Sequence, residues 1–149
     1  MRIIGGKYKS RRIESPPGFK ARPTTDFACE SLFNILNNRI NFEEISVLDL
    51  FAGTGSISYE FSSRGAKEIH LIEQDPNHIS GIKKIIKDFG FENIKPVHIN
   101  VQTYLKICKT KYDIVFADPP YDLRWLRNIP DLVNKSGVMK PEGFLVLEH

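Results

Sequence analysis

Short apolar runs alternate with amphipathic segments along the chain, and neither a repeat nor a low-complexity linker interrupts them. The apolar runs predict five strands, near residues 46–50, 68–73, 95–99, 112–117 and 143–148. The intervening segments predict four helices, near residues 56–64, 76–89, 101–109 and 123–135. Connections of this length fit right-handed crossovers, so the pattern predicts an α/β fold with a mainly parallel, twisted sheet and flanking helices.

The N-terminal part adds a helix and an arm to this pattern. Residues 26–38 are expected to be helical. The inner face of this helix is expected to consist of Ala28, Leu32, Ile35 and Leu36. Ahead of it, Pro16-Pro17-Gly18 predicts a stiff connection. We therefore expect a hairpin or arm at residues 1–22 that forms a single compact unit with residues 23–149.

The charge is divided unevenly along the chain. Residues 1–22 carry seven basic residues against one acid, a net charge of +6, while the remainder carries −3. The arginines and lysines that we expect to contact a polyanion are Arg2, Lys7, Arg11, Arg12 and Arg22. Tyr8 and Phe19 lie among the basic residues as possible stacking surfaces. The other interpretation is an ordinary solvated hairpin with a turn at Gly5-Gly6.

Composition narrows the class of protein. A length of 149 residues with 41% hydrophobic and 26% charged residues is ordinary for one soluble domain. No apolar stretch is long enough to span a bilayer, and no signal-peptide segment is visible, so we expect a cytoplasmic protein. Cys29 and Cys108 lack a C-x-x-C spacing, and the four histidines, including His78 in an expected exposed helix, show no ligand spacing. We therefore expect no metal site.

A glycine-rich loop, Phe51-Ala52-Gly53-Thr54-Gly55, follows the first predicted strand and precedes a helix. This arrangement is typical of nucleotide-binding sites, because glycines let the backbone approach a ligand and the helix start offers N–H groups. A dinucleotide site would require a small residue where Ser58 stands. Asp49, two residues before the loop, suits an ammonium better than a phosphate. The alternative is a plain glycine turn or helix cap.

Polar residues lie at or just after the ends of four of the predicted strands, at Asp49, Glu73, Asn100 and Asp118. In a parallel sheet these positions meet at one edge, where ligands bind. Glu73 lies about 20 residues past the loop, at the spacing where an acid accepts hydrogen bonds from ribose hydroxyls. Asn100 is either a ligand-binding residue or the N-cap of the next helix.

The tetrapeptide Asp118-Pro119-Pro120-Tyr121 ends the strand predicted at 112–117. An amine attached to an aromatic base is a poor nucleophile because its lone pair is delocalised into the ring. A carboxylate and a backbone carbonyl that accept both N–H bonds would draw the nitrogen out of conjugation, and Tyr121 could stack on the extruded base. The alternative is a strand that ends in a proline-stiffened turn.

Together the two motifs resemble the S-adenosylmethionine-dependent amino-methyltransferases. Three N-terminal segments narrow the resemblance to the RsmD-type family, which methylates the N2 amine of a guanine in small-subunit (16S) ribosomal RNA: Arg2-Ile3-Ile4-Gly5-Gly6, Arg22-Pro23-Thr24-Thr25-Asp26 and Glu30-Ser31-Leu32-Phe33-Asn34. The resemblance implies a Rossmann-like fold, with Asp49, Phe51, Gly53, Gly55, Glu73 and Asn100 at the cofactor and Asp118, Pro119, Pro120 and Tyr121 in catalysis. It also implies a ribosomal RNA partner, within an assembled or assembling small subunit.

The chain departs from the family pattern in two places. Phe27-Ala28-Cys29 stands where such proteins often carry basic residues, and residues 143–149 form the fifth predicted strand where the family continues into a helix and two further strands. Those C-terminal strands are therefore expected to be missing here. Two other functions stay open: a DNA adenine-N6 methyltransferase, and a catalytically inactive RNA-binding or ribosome-assembly module. An NAD-linked oxidoreductase is disfavoured by Ser58 and by the tetrapeptide.

Overall fold

A computed structural model describes residues 1–19 and 24–148. Five strands form one sheet: β1 Ser46–Asp49, β2 Glu68–Glu73, β3 Ile94–His98, β4 Tyr112–Ala117 and β5 Met139–Leu147. The α-helices are α1 Asp26–Asn37, α2 Ser56–Ser63, α3 Pro76–Phe89, α4 Val101–Ile107 and α5 Ile129–Ser136. Short 3₁₀ turns lie at Phe42–Glu44 and Leu126–Asn128. The predicted alternation of strands and helices is confirmed.

The strand order is β3-β2-β1-β4-β5, and each of the four pairings is parallel. The chain runs outward from β1 to β3 on one side, then crosses to β4 and β5 on the other. The direction of progress therefore reverses between β1 and β4, which is the point where open α/β sheets form a ligand-binding crevice. The predicted Rossmann-like α/β architecture is confirmed.

Apolar side chains cover both faces of the sheet. Val47 of β1 points to the face covered by α1, α2, α3 and the arm, and its neighbour Leu48 points to the face covered by α4 and α5. Both residues are fully buried. This double burial explains why the strands appear in the sequence as nearly continuous apolar runs.

Three sequence predictions need correction. Ile35 is 57% exposed, and the buried residues of α1 are Cys29, Phe33 and Leu36, which recur at helical spacing. The last helix begins at Ile129 instead of 123, with Pro130 in its first turn, where a missing N–H costs nothing. Strand β5 begins at Met139 instead of 143. Met139 pairs with Tyr112, and a shift in register between Tyr112 and Ile114 accommodates the extra residues, which include Pro141.

The arm is a tight hairpin seated on the last turn of α2. Ile3 N–H donates to Arg11 O at 3.0 Å and Ile13 N–H donates to Met1 O at 2.9 Å, so the two halves of the arm pair with each other. Ile3 and Ile13 are buried in the same core as α1. Gly6 has φ +76°, and a Cβ there would lie 1.9 Å from Ser63 O, so this contact between the arm and α2 requires glycine.

Glu60 of α2 makes the main polar contact between α2 and the arm. Its carboxylate is fully buried and accepts hydrogen bonds from Ile4 N at 3.0 Å and Gly5 N at 2.9 Å. Arg64 Nε donates to the same carboxylate at 2.9 Å, which supplies the opposite charge. Because two backbone donors of the arm depend on it, Glu60 fixes the arm against α2.

Replacing Glu60 by alanine leaves two partly buried N–H groups and the Arg64 guanidinium without their acceptor. We expect Glu60→Ala to lower the free energy of unfolding by about 3–5 kcal/mol, measured by urea denaturation. The matched control is Glu30→Ala, an exposed acid of α1, which should change it by less than about 0.5 kcal/mol. Equal, small effects of the two substitutions would contradict the anchoring role.

Candidate active site

A cavity of about 1250 Å³ opens at the carboxyl ends of the strands, where β1 and β4 reverse the strand order. It exceeds the size of a typical small-molecule pocket and has room for a nucleoside together with a second base. The sequence-predicted residues that line it are Asp49, Phe51, Gly53, Glu73, Asn100, Asp118, Pro119, Pro120 and Tyr121. The structure thus brings the predicted cofactor and catalytic residues to one place. Gly55 shapes the loop without lining the cavity.

The glycine loop is a tight turn that leads directly into α2. Gly55 N–H donates to Ala52 O at 2.8 Å, and Gly55 is the N-cap of α2 with φ +83°. A Cβ at Gly55 would lie 2.5 Å from the Tyr59 hydroxyl, so any larger residue would be strained and would clash. The loop therefore keeps a tight shape, and at Gly53 it presents bare backbone toward the cavity.

Glu73 holds this loop in shape. Its Oε2 accepts from Gly53 N at 2.9 Å and its Oε1 accepts from Asp75 N at 2.8 Å. His78 Nδ1 lies 3.6 Å from Oε2, and the ring stacks on Phe19 with centroids 4.3 Å apart. His78 lies in a helix, α3, as expected, but only 12% of its own side chain is accessible. Each carboxylate oxygen has a second lone pair, so Glu73 can still accept from a ligand hydroxyl.

Asp49 is a buried carboxylate with spare bonding capacity beneath the loop. Ser58 Oγ donates to its Oδ2 at 2.7 Å, which accounts for the serine at the position where a dinucleotide site would want a small residue. Among the described residues, Oδ1 has no hydrogen-bond partner. Burial, with smaller contributions from Asp118 and Glu73, raises the pKa of Asp49 to about 7. A cationic ligand would satisfy Oδ1, so the site fits the methionine ammonium of S-adenosylmethionine.

The tetrapeptide follows β4, the neighbour of β1, and all four of its residues line the cavity. Asp118 directly follows β4, and its pKa is raised to about 6 by burial and then by the charge of Glu148. Pro119 is buried, whereas the Tyr121 ring is 80% exposed. Leu123 N–H donates to Pro120 O at 3.0 Å, so a proline-stiffened turn is present. The turn and the chemistry expected from the sequence are compatible, because Asp118 and Pro119 precede the turn and both line the cavity.

Asn100 is the N-cap of α4. Its Oδ1 accepts from Thr103 N at 2.8 Å, and the residue also lines the cavity. The N-cap interpretation is confirmed, and the ligand-binding role stays a prediction. With Oδ1 engaged, the amide NH₂ is the group that Asn100 can offer to a ligand.

The cations predicted to bind RNA lie on the arm, and none of the four described ones lines the cavity. Arg2 pairs with Asp26 at 3.6 Å. Arg11 lies over the rings of Tyr8 at 5.3 Å and Phe89 at 5.7 Å, and Lys7 lies 5.4 Å from the Tyr8 ring. Arg11 and Arg12 line a shallow groove with Asp88 and Phe89. Arg22 lies outside the described residues.

Several cavity residues were not predicted from the sequence. They include Thr24, Thr25, Ala28, Lys106, Trp125 and Glu148. Thr25 caps α1 by accepting from Ala28 N at 3.2 Å, which places the start of that helix at the cavity. Glu148 follows β5 just as Asp118 follows β4, so the strand-end rule applied to the fifth strand would have found it.

The described part of the chain contains neither a group of metal ligands nor a helix able to cross a membrane. Within residues 1–19 and 24–148, no three His, Cys, Asp or Glu side chains group as a metal ligand set. Over the same residues, no helix combines the length and apolar character needed to cross a membrane.

Comparisons with known proteins agree with this geometry. A family model described as conserved hypothetical protein 95 matches residues 1–149. Proteins named ribosomal RNA small subunit methyltransferase D are 32% identical in Buchnera aphidicola subsp. Baizongia pistaciae, over 100% of this chain and 76% of theirs, and 33% identical in Escherichia coli K12, over 99% and 74%. A putative methyltransferase structure, yhhF from E. coli, superimposes with a TM-score of 0.89 at 30% identity, over 100% of this chain and 80% of that one.

Full-length family coverage, relatives above 30% identity and a shared fold lead to one assignment. The chain belongs to the family described as conserved hypothetical protein 95, together with the proteins named ribosomal RNA small subunit methyltransferase D.

Proposed function

We propose that this protein transfers a methyl group from S-adenosylmethionine to the exocyclic N2 amine of a guanine in small-subunit (16S) ribosomal RNA. The observation that carries the proposal is a single cavity lined by Asp118 and Pro119 as well as by the glycine loop and buried Asp49. The names of the relatives support a small-subunit ribosomal RNA substrate.

The cofactor side of the cavity consists of the loop and three polar side chains. When bound, S-adenosylmethionine supplies an electrophilic methyl group on a sulfonium centre. Asp49 Oδ1 would accept from the ammonium, Glu73 from the ribose hydroxyls, and Asn100 would face the adenine with its amide. Phe51 would border the cofactor, held by Trp125 at a ring-centroid distance of 5.8 Å. Gly53 and Gly55 would let the backbone approach closely.

On the catalytic side, Asp118 and the Pro119 carbonyl would accept the two N–H bonds of the amine and aim its lone pair. Pro120 would stiffen the turn, and the exposed Tyr121 ring would stack on the extruded base. The methylated nitrogen can release its proton to Asp118 or to water, so no strong general base is required. Catalysis then depends on positioning and fixed electrostatics.

The arm would contact the RNA backbone through Arg2, Lys7, Arg11 and Arg12, with Arg22 as a further candidate. We propose that the target base is presented by an assembled or assembling small subunit in the cytoplasm. A DNA adenine-N6 methyltransferase would use the same tetrapeptide chemistry, but the relatives' names do not favour it. An inactive assembly module would not need the Asp49 and Asp118 carboxylates in one cavity.

The reaction is tested by mapping small-subunit RNA from cells with and without the gene. We expect one N2-methylguanine to disappear and to return with the wild-type gene. Asp118→Ala should not restore it, because losing one fixed acceptor lowers single-turnover methyl transfer by about a hundredfold or more. Asp131→Ala, an exposed acid of α5, is the matched control. Near-normal turnover by folded Asp118→Ala would contradict the catalytic role, and methyladenine in DNA would support the alternative.

The ionised form of Asp49 should lower the stability of the folded state without ligand and should favour cofactor binding. Its folded pKa of about 7 lies above the ordinary 3.8, so the folded state without ligand holds a proton more tightly than the unfolded chain. Stability should therefore fall as pH rises through this window, and the cost is complete above about pH 7. We expect Asp49→Asn to raise the unfolding free energy at pH 8 by about 1–3 kcal/mol and to weaken cofactor affinity in calorimetry.

Asp113→Asn is the matched control for this pH effect. Although burial raises its pKa, hydrogen bonds from Ser46 and Lys140 lower it below the ordinary value overall. Stability from Asp113 is therefore present above its unfolded pKa and is lost as pH falls through its folded pKa, so the amide should destabilise at pH 8. Loss of stability in both variants at pH 8 would contradict the assignment for Asp49.

The arm is tested by the salt dependence of RNA binding. Arg11→Gln with Arg12→Gln should weaken binding to small-subunit RNA and reduce the slope of log affinity against log salt by about one unit per lost phosphate contact. Cofactor affinity should not change. The control pair, Lys109→Gln with Lys135→Gln, removes exposed cations near the helices on the other face of the sheet. An unchanged affinity and slope in the arm variant would favour the solvated-hairpin interpretation.

A further inference from the structure

Glu148 is a second carboxylate beside the proposed catalytic one. Ala117 of β4 pairs with Leu147 of β5, and Glu148 N–H donates to Ala117 O at 2.9 Å, so Asp118 and Glu148 are the next residues along two adjacent parallel strands. Adjacent strands are about 4.8 Å apart. Both residues line the cavity. The structure therefore places two carboxylates side by side at its edge.

The two side chains share a face of the sheet. Phe116 and Val146, a registered pair two residues earlier, pack into the same core, and residues two apart on a strand point the same way. The charge of Glu148 is among the causes that raise the pKa of Asp118. Within the described residues, the ion pairs do not include Glu148. A structural salt bridge thus does not account for its position.

Two neighbouring carboxylates repel each other, and a ligand that supplies donors to both relieves that repulsion. Among the amino-bearing bases, guanine has a ring N–H, at N1, directly beside its amine. Adenine and cytosine instead present an acceptor nitrogen at the corresponding ring position. Three adjacent N–H bonds on guanine match three acceptors: Asp118, the Pro119 carbonyl and Glu148. An adenine in the same pose would direct a lone pair at Glu148.

We propose that Glu148 is a specificity residue whose carboxylate accepts the N1–H of the target guanine, next to the Asp118 and Pro119 oxygens that accept from its amine. This inference rests on the proposed guanine-N2 methylation. It adds to that function a physical reason why guanine is selected over adenine. Losing a hydrogen bond to a charged acceptor typically lowers the rate or the affinity by about 10–100-fold.

The test uses 2-aminopurine, which keeps the amine at C2 but has an unprotonated N1. Small subunits are reconstituted with RNA that carries guanosine or 2-aminopurine riboside at the mapped nucleotide, and single-turnover methyl transfer is measured. We expect the wild-type enzyme to prefer guanosine by about 10–100-fold. Glu148→Gln should methylate guanosine more slowly by a similar factor but accept 2-aminopurine at least as well as wild type, because its amide can donate to N1.

The diagnostic quantity is the guanosine to 2-aminopurine ratio, which a purely structural defect would leave unchanged. Glu142→Gln, an exposed glutamate earlier in β5, is the control and should keep the wild-type ratio. Cofactor affinity and thermal unfolding should match wild type in both variants. An unchanged ratio in Glu148→Gln would overturn this inference alone. A wild-type enzyme that does not methylate the guanosine subunits would instead overturn the proposed function, and this inference with it.

Discussion

The site depends on one electrostatic constraint, which is that four carboxylates meet at the carboxyl edge of one parallel sheet. Asp49, Glu73, Asp118 and Glu148 follow or end four of its five strands and line a single cavity. Within the described residues, none of the four forms an ion pair with a lysine or arginine. Backbone N–H groups, protons, solvent or ligand donors can offset the repulsion at such an edge. The edge therefore favours ligands that carry N–H or ammonium groups.

Helix α2 connects the cavity to the arm. The amino end of α2 begins at Gly55, whose loop Glu73 fixes through Gly53. The carboxyl end of the same helix carries Glu60, which fixes the arm through Ile4 and Gly5. One eight-residue helix therefore sets the position of a basic surface relative to the proposed cofactor site. A rigid link of this kind suits an enzyme that must hold a large polyanion while a single base enters the cavity.

Much of this arrangement could be predicted from the sequence, because strand periodicity and the strand-end rule act over short distances. Asp49, Glu73 and Asp118 were placed correctly at the cavity for that reason. The failures concern long-range contacts. The sequence places Ile35, instead of Phe33, on the inner face of α1. Apolar residues lie on both sides of this helix, so only its packing against the rest of the protein determines which side is buried. The role of Glu60 was not predicted, because nothing local shows that a helical acid is covered by residues 4 and 5.

Burial acts against the proposed roles of both Asp49 and Asp118. A raised pKa favours the protonated form of each, yet the ionised form is the stronger acceptor for the proposed ligand. Ligand donors lower the pKa again, so cofactor binding should stabilise both the fold and the ionised Asp49. Glu148 makes ionisation of Asp118 harder while the cavity lacks a base, and a guanine that donates to both carboxylates removes that penalty. A guanine bound to both carboxylates would therefore favour the ionised form of Asp118, which links base recognition to the proposed catalytic group.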